Sequence, residues 1–79
     1  MLMTEQIQDL KESYNKLIAR AKKAEAYLSS EDTPLEERER YVGAYSVLIK
    51  TINTAIDSFI KYKIPMDDKE VLDGFTDML

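Results

Sequence analysis

Between Met3 and Leu28 the apolar residues Met3, Ile7, Leu10, Tyr14, Leu17, Ala21, Ala24 and Leu28 recur at spacings of 4-3-4-3-4-3-4. That rhythm places them on one stripe of a helix and predicts a helix over about residues 4–29 with a coiled-coil-like seam. Thr4 is the expected N-cap, with Glu5 in the first turn, where a carboxylate suits the helix dipole. No glycine or proline intervenes before Pro34. Small residues at consecutive seam positions, Ala21 and Ala24, predict that another helix approaches closely near the end of this one.

The polar stretch Ser29-Ser30-Glu31-Asp32 interrupts the pattern. Thr33-Pro34-Leu35-Glu36 then has the form of a capping box, with Thr33 as N-cap, Pro34 at the first helical position and Glu36 two residues on. It predicts a second helix over about residues 34–63, and so short a connection predicts an antiparallel hairpin. This second helix carries two overlapping seams. Tyr41, Tyr45, Leu48, Ile52, Ala55, Phe59 and Tyr62 form one; Val42, Tyr45, Ile49, Ile52, Ile56 and Phe59 form the other. A face that wide is more than a single neighbouring helix covers.

Ile64-Pro65 ends the second helix, because proline drives the preceding residue out of the α region. Asp67 and Glu70 predict a capped last helix over about residues 68–78, carrying Val71, Leu72, Phe75, Met78 and Leu79. Gly74 within it weakens it by about 1 kcal/mol relative to alanine, so it must dock to persist. The expected fold class is all-α: an antiparallel two-helix hairpin plus a short C-terminal helix, one helical domain over residues 1–79, completing a helical bundle as an oligomer.

Composition strengthens the case for a partner. A chain of 79 residues has a marginal core, and small folds add disulfides, a metal or self-association. This chain has no Cys and no His, which removes disulfides, thiolate and imidazole ligands and the usual acid–base residue near neutral pH. A homo-oligomer, dimeric or higher, is therefore expected, with a protein partner as the other route. Val42, Tyr45, Ile49, Ile52, Ile56 and Phe59 are the candidate interface. The competing reading is that this second seam seats the C-terminal helix of the same chain. Both can hold, since that helix has about three turns and the seam is about twice as long.

Charge and candidate chemistry change the picture less. Charged residues make up 33% with both signs mixed, and the net charge of −4 gives no reason to expect nucleic acid as a partner. The start of the chain lacks the basic and apolar segments of a leader, and no run is apolar enough to span a bilayer. A cytoplasmic protein without a membrane partner is expected, and the lack of Cys fits that compartment. No nucleophile motif or phosphate-binding glycine loop occurs, so catalysis, cofactors and metals are not expected. Lys16, Arg20 and Lys23 share a helix face that reads as solvated, and the acidic C-terminal residues read as capping charge.

Five tyrosines against two phenylalanines and no tryptophan is the remaining unusual feature. They read first as packing residues whose hydroxyls reach water. The alternative is a small-ligand site: Tyr14, Tyr41 and Tyr45 stacking on a nucleotide or cyclic nucleotide between subunits, with Arg38, Arg40 or Lys50 taking a phosphate. The overall plan is similar to many phage-encoded helical proteins, some blocking a host factor and others sequestering cyclic nucleotide signals. That resemblance is architectural and carries no residues. The leading expectation is a non-enzymatic, homo-oligomeric hairpin, possessed of a viral-type adaptor or inhibitor role through protein contacts.

Overall fold

A computed structural model describes residues 3–75, and these are helical throughout apart from turns and connections. Helix α1 spans Thr4–Ser29, α2 spans Leu35–Lys61 and α3 spans Asp68–Asp73. The two long helices pack against each other as an antiparallel pair, and α3 docks on α1. None of the helices described is long and apolar enough to cross a membrane.

The helix ends show where local chemistry goes. Thr4 lies inside the first turn of α1 rather than before it; Met3 holds the cap position in extended backbone, and its N–H donates to Gln6 Oε1 at 2.9 Å. The expected capping box of Thr33 and Glu36 does not form either, and Pro34 precedes α2 without a side-chain cap. Thr33 instead turns back: its hydroxyl donates to the Tyr27 carbonyl at 2.8 Å, which also accepts the Ser30 N–H at 3.3 Å, closing the end of α1. The Arg38 guanidinium donates to the Ser30 carbonyl, so the turn is tied to the start of α2 by a side chain.

α2 stops two residues earlier than the expected position 63, in a Schellman-type closure. Lys63 adopts φ 57°, its N–H donates to Ile60 O at 3.1 Å, and Ile64 N–H donates to Phe59 O at 2.9 Å. The hydrophobic contact that accompanies this motif is present, since Phe59 and Ile64 are both buried in the core. Asp67 caps α3 through a reciprocal pair with Glu70: Glu70 N–H to Asp67 Oδ1 at 2.8 Å and Asp67 N–H to Glu70 Oε1 at 3.1 Å. Gly74 is not inside a helix reaching residue 78; it ends α3 with φ 85°. Met78 and Leu79 lie outside the described residues.

The C-terminal segment docks within its own chain. Tyr14, Phe59 and Phe75 are each buried to within 2% of complete, with ring centroids 5.2 to 5.8 Å apart. Edge-to-face and tilted geometries of this kind add to plain area burial. The Tyr14 hydroxyl donates to the Val71 carbonyl at 2.5 Å. Asn15 grips the other side, accepting from Phe75 N–H at 2.6 Å and donating to Phe75 O at 3.1 Å. Gly74 allows this approach, because a Cβ there would stand 2.5 Å from Asn15 Oδ1.

That docking widens the buried face of α1. Ile18 lies outside the stripe that the sequence spacing marks, yet it is buried, whereas its seam neighbour Leu17 is half-exposed. The cause is a third layer: α1 meets α2 on one side and the C-terminal segment on the other. Ile52 and Ile64 complete the cluster around Ile18 and Ala21.

Candidate functional site

Two flanks of the hairpin carry features that its own packing does not use up. The first is an apolar stripe on α2. Leu35, Val42, Ile49 and Ile56 follow one another at intervals of seven, and Ile60 extends the line by four. Seven-residue spacing keeps side chains on one edge of a helix. Leu35, Val42 and Ile60 are 69%, 50% and 70% exposed, while Ile49 and Ile56 are half-buried. Their other half packs against the core cluster. Ile49, Ile52 and Ile56 of α2 and Ile18 and Ala21 of α1 line a groove of about 280 Å³ whose far wall is Val71 and Leu72.

The six residues expected at the interface therefore divide. Ile52 and Phe59, at 7% and 2% exposure, belong to the chain's own core. Tyr45 leans toward α1, where its hydroxyl donates to Glu25 at 2.7 Å. Val42, Ile49 and Ile56 stay on the open edge, joined by Leu35 and Ile60, which the second-seam pattern leaves out because the two lie at its ends. The seven-residue recurrence of Leu35 with Val42 was the signal that could have found the first of them.

The second flank lies on the opposite side of α2, toward the turn. Arg20, Lys23 and Ala24 of α1 and Tyr41, Ala44, Tyr45 and Leu48 of α2 enclose a groove of about 300 Å³. Alanines on facing helices leave this space, because neither fills the gap between the tyrosines and the basic side chains. Tyr27 stands beside it, its ring 4.8 Å from that of Tyr41, and Tyr27, Glu37, Arg40 and Tyr41 form a shallower depression next door. The Tyr27 hydroxyl donates to Glu37. Hydrogen bonding to Glu37 holds the Tyr27 hydroxyl above its ordinary pKa, and hydrogen bonding to Glu25 does the same for Tyr45.

Of the ligand residues expected from the sequence, Tyr41 and Tyr45 come together in this groove, and Arg40 joins Tyr41 in the depression beside it. Tyr14 sits at the other end of the hairpin, fully buried against Phe59 and Phe75, so it offers no face for stacking. Burial alone raises its hydroxyl pKa. Arg38 is committed to the Ser30 carbonyl, Arg40 lines the neighbouring depression, and Lys50 is an exposed residue that lines neither recess. Arg20 and Lys23, read from the sequence as a solvated face, supply the cations instead. The antiparallel register that sets Ala24 opposite Tyr41 and Tyr45 brings them there, and residue spacing within one helix does not report it.

Comparison with protein-family models, with curated proteins and with solved structures gives no match for this chain. Among the described residues no group of three or more carboxylates is placed to hold a metal ion.

Proposed function

We propose that this is a non-enzymatic interaction protein that works as a homo-oligomer in the cytoplasm, an adaptor or inhibitor acting through protein contacts. The observation that carries the proposal is the stripe Leu35–Val42–Ile49–Ile56–Ile60, whose Leu35, Val42 and Ile60 are exposed and whose Ile49 and Ile56 are half-buried. Large side chains left in water along one edge of a helix mark a protein-binding surface, above all in a chain whose own core is small.

A second copy of the chain is the occupant that fits best. An antiparallel α2 pair centred on Ile49 sets Val42 beside the partner's Ile56 and Leu35 near the partner's Ile60, so the stripe is complementary to itself under a two-fold axis. Charge agrees with that direction. Glu36, Glu37 and Glu39 outnumber Arg38 and Arg40 at the start of α2, and Lys61 and Lys63 lie at and just beyond its end, so the antiparallel pair sets a mildly acidic end against a basic one. Such a pair joins four long helices into one bundle.

The test is mass in solution by light scattering on wild type and on Val42→Asp/Ile60→Asp. Both positions are outside the chain's own core, so the double variant keeps its fold. Wild type is expected at twice the monomer mass and the variant at the monomer mass with unchanged helical circular dichroism. A monomeric wild type at tens of micromolar overturns the proposal.

A further inference from the structure

We infer that the groove between Arg20, Lys23, Tyr41 and Tyr45 is a binding site for a small planar aromatic anion, of the size of a nucleoside monophosphate. The site goes beyond the oligomer reading and does not depend on it, because it opens on the flank of α2 away from the exposed stripe.

Three features of the groove converge on that class of ligand. The lining is largely apolar, made by Ala24, Ala44 and Leu48 together with the aromatic side chains of Tyr41 and Tyr45. Aromatic side chains of this kind stack with any base, because every base presents a π face. Arg20 and Lys23 line the groove, mostly through their apolar stems, and neither charged end takes part in an ion pair among the described residues, so two cations are available at its edge. Arg in particular pairs with phosphate oxygens through two parallel N–H donors.

The nearby carboxylates are the obvious objection, and the structure answers it. Neither Glu25 nor Glu37 lines the groove: Glu25 accepts the Tyr45 hydroxyl at 2.7 Å and borders the groove on the other flank, and Glu37 accepts the Tyr27 hydroxyl. These bonds tether the ends of Tyr45 and Tyr27, and the ring of Tyr27 packs beside that of Tyr41 at 4.8 Å. Rigid rings lose little freedom when a ligand stacks on them. Size sets the upper bound. At about 300 Å³ the groove is at the small end of ligand pockets and takes one base and one phosphate, not two nucleotide units.

The test titrates the full chain with AMP, adenosine and inorganic phosphate by calorimetry at low salt, with AMP binding also followed by NMR. AMP is expected to bind saturably at sub-millimolar concentration, shifting the ring signals of Tyr41 and Tyr45. Adenosine and phosphate should each bind at least about tenfold more weakly, since each offers half of the recognition. Arg20→Gln/Lys23→Gln is expected to weaken AMP about tenfold or more with no change in melting temperature, while Lys16→Gln leaves binding as it was. No saturable AMP binding, AMP binding no tighter than phosphate, or binding indifferent to the Arg20→Gln/Lys23→Gln change would each overturn the inference. All three readouts are independent of oligomer mass, so failure here and failure of the dimer are told apart.

Discussion

The two ends of the hairpin use the same kind of residue in opposite ways. At the open end Tyr14 and Phe59 meet Phe75 from the C-terminal segment, and all three rings are withdrawn from water. At the turn end Tyr27, Tyr41 and Tyr45 have no third element over them; Tyr27 and Tyr41 remain 37% and 40% exposed, and Tyr27 and Tyr45 carry their hydroxyls to surface carboxylates. Two helices alone cannot enclose an aromatic ring, because each leaves two flanks open. A third layer does, and the six residues of α3 with the segment around them are enough to make a core at one end only. The contrast explains why this chain keeps its stability at the open end and its available surface elsewhere.

The largest expected difference between the ends is in truncation. Phe59→Ala should cost about 3–5 kcal/mol, enough to unfold much of a small chain, whereas Tyr41→Ala should cost less than about 1 kcal/mol. Urea denaturation followed by circular dichroism measures both. Gly74→Ala comes next. It forces a side chain into positive φ and against Asn15, and about 1–3 kcal/mol of destabilisation is expected.

A hydroxyl deletion gives a smaller contrast. Tyr14→Phe leaves the Val71 carbonyl without its donor and should cost about 1 kcal/mol, while Tyr45→Phe, whose partner Glu25 is open to water, should be close to neutral. The same hydroxyl sets an alkaline limit. Burial raises the Tyr14 pKa above its usual 10.0, so the folded chain holds that proton more tightly than the unfolded chain does. The stability contributed is complete below pH 10.0 and is lost as the pH rises through the raised value. Tyr14→Phe should show less of that alkaline loss. Smallest is a gain at the end of α2: Lys63→Gly relieves the positive φ at the closure and should stabilise by up to about 1 kcal/mol, read as a higher urea midpoint.

Much of the fold was legible in the sequence because heptad spacing, Pro34, Pro65 and the Asp67–Glu70 pair are local signals. The two long helices, their antiparallel pairing and the cap of α3 follow from them. Thr33 shows the limit: its hydroxyl had two backbone ends to choose from, and the choice of α1 depends on how the turn folds. Ile18 was hidden because a helix facing two neighbours has a wider buried stripe than a two-stranded seam allows. The grouping of Arg20 and Lys23 with Tyr41 and Tyr45 was hidden for the same reason, since it arises from the register between helices. Tyr14 looked available only while the aromatic partners at the open end were unknown.

The central claim is that the exposed edge of α2 is a contact between copies of this chain. Sedimentation velocity across a dilution series tests it most directly, with wild type beside Val42→Asp/Ile60→Asp. The account predicts a dimer for wild type that dissociates on dilution, and a monomer of undiminished helicity for the variant at every concentration. A variant that sediments as wild type does, or a wild type that is monomeric throughout, contradicts it.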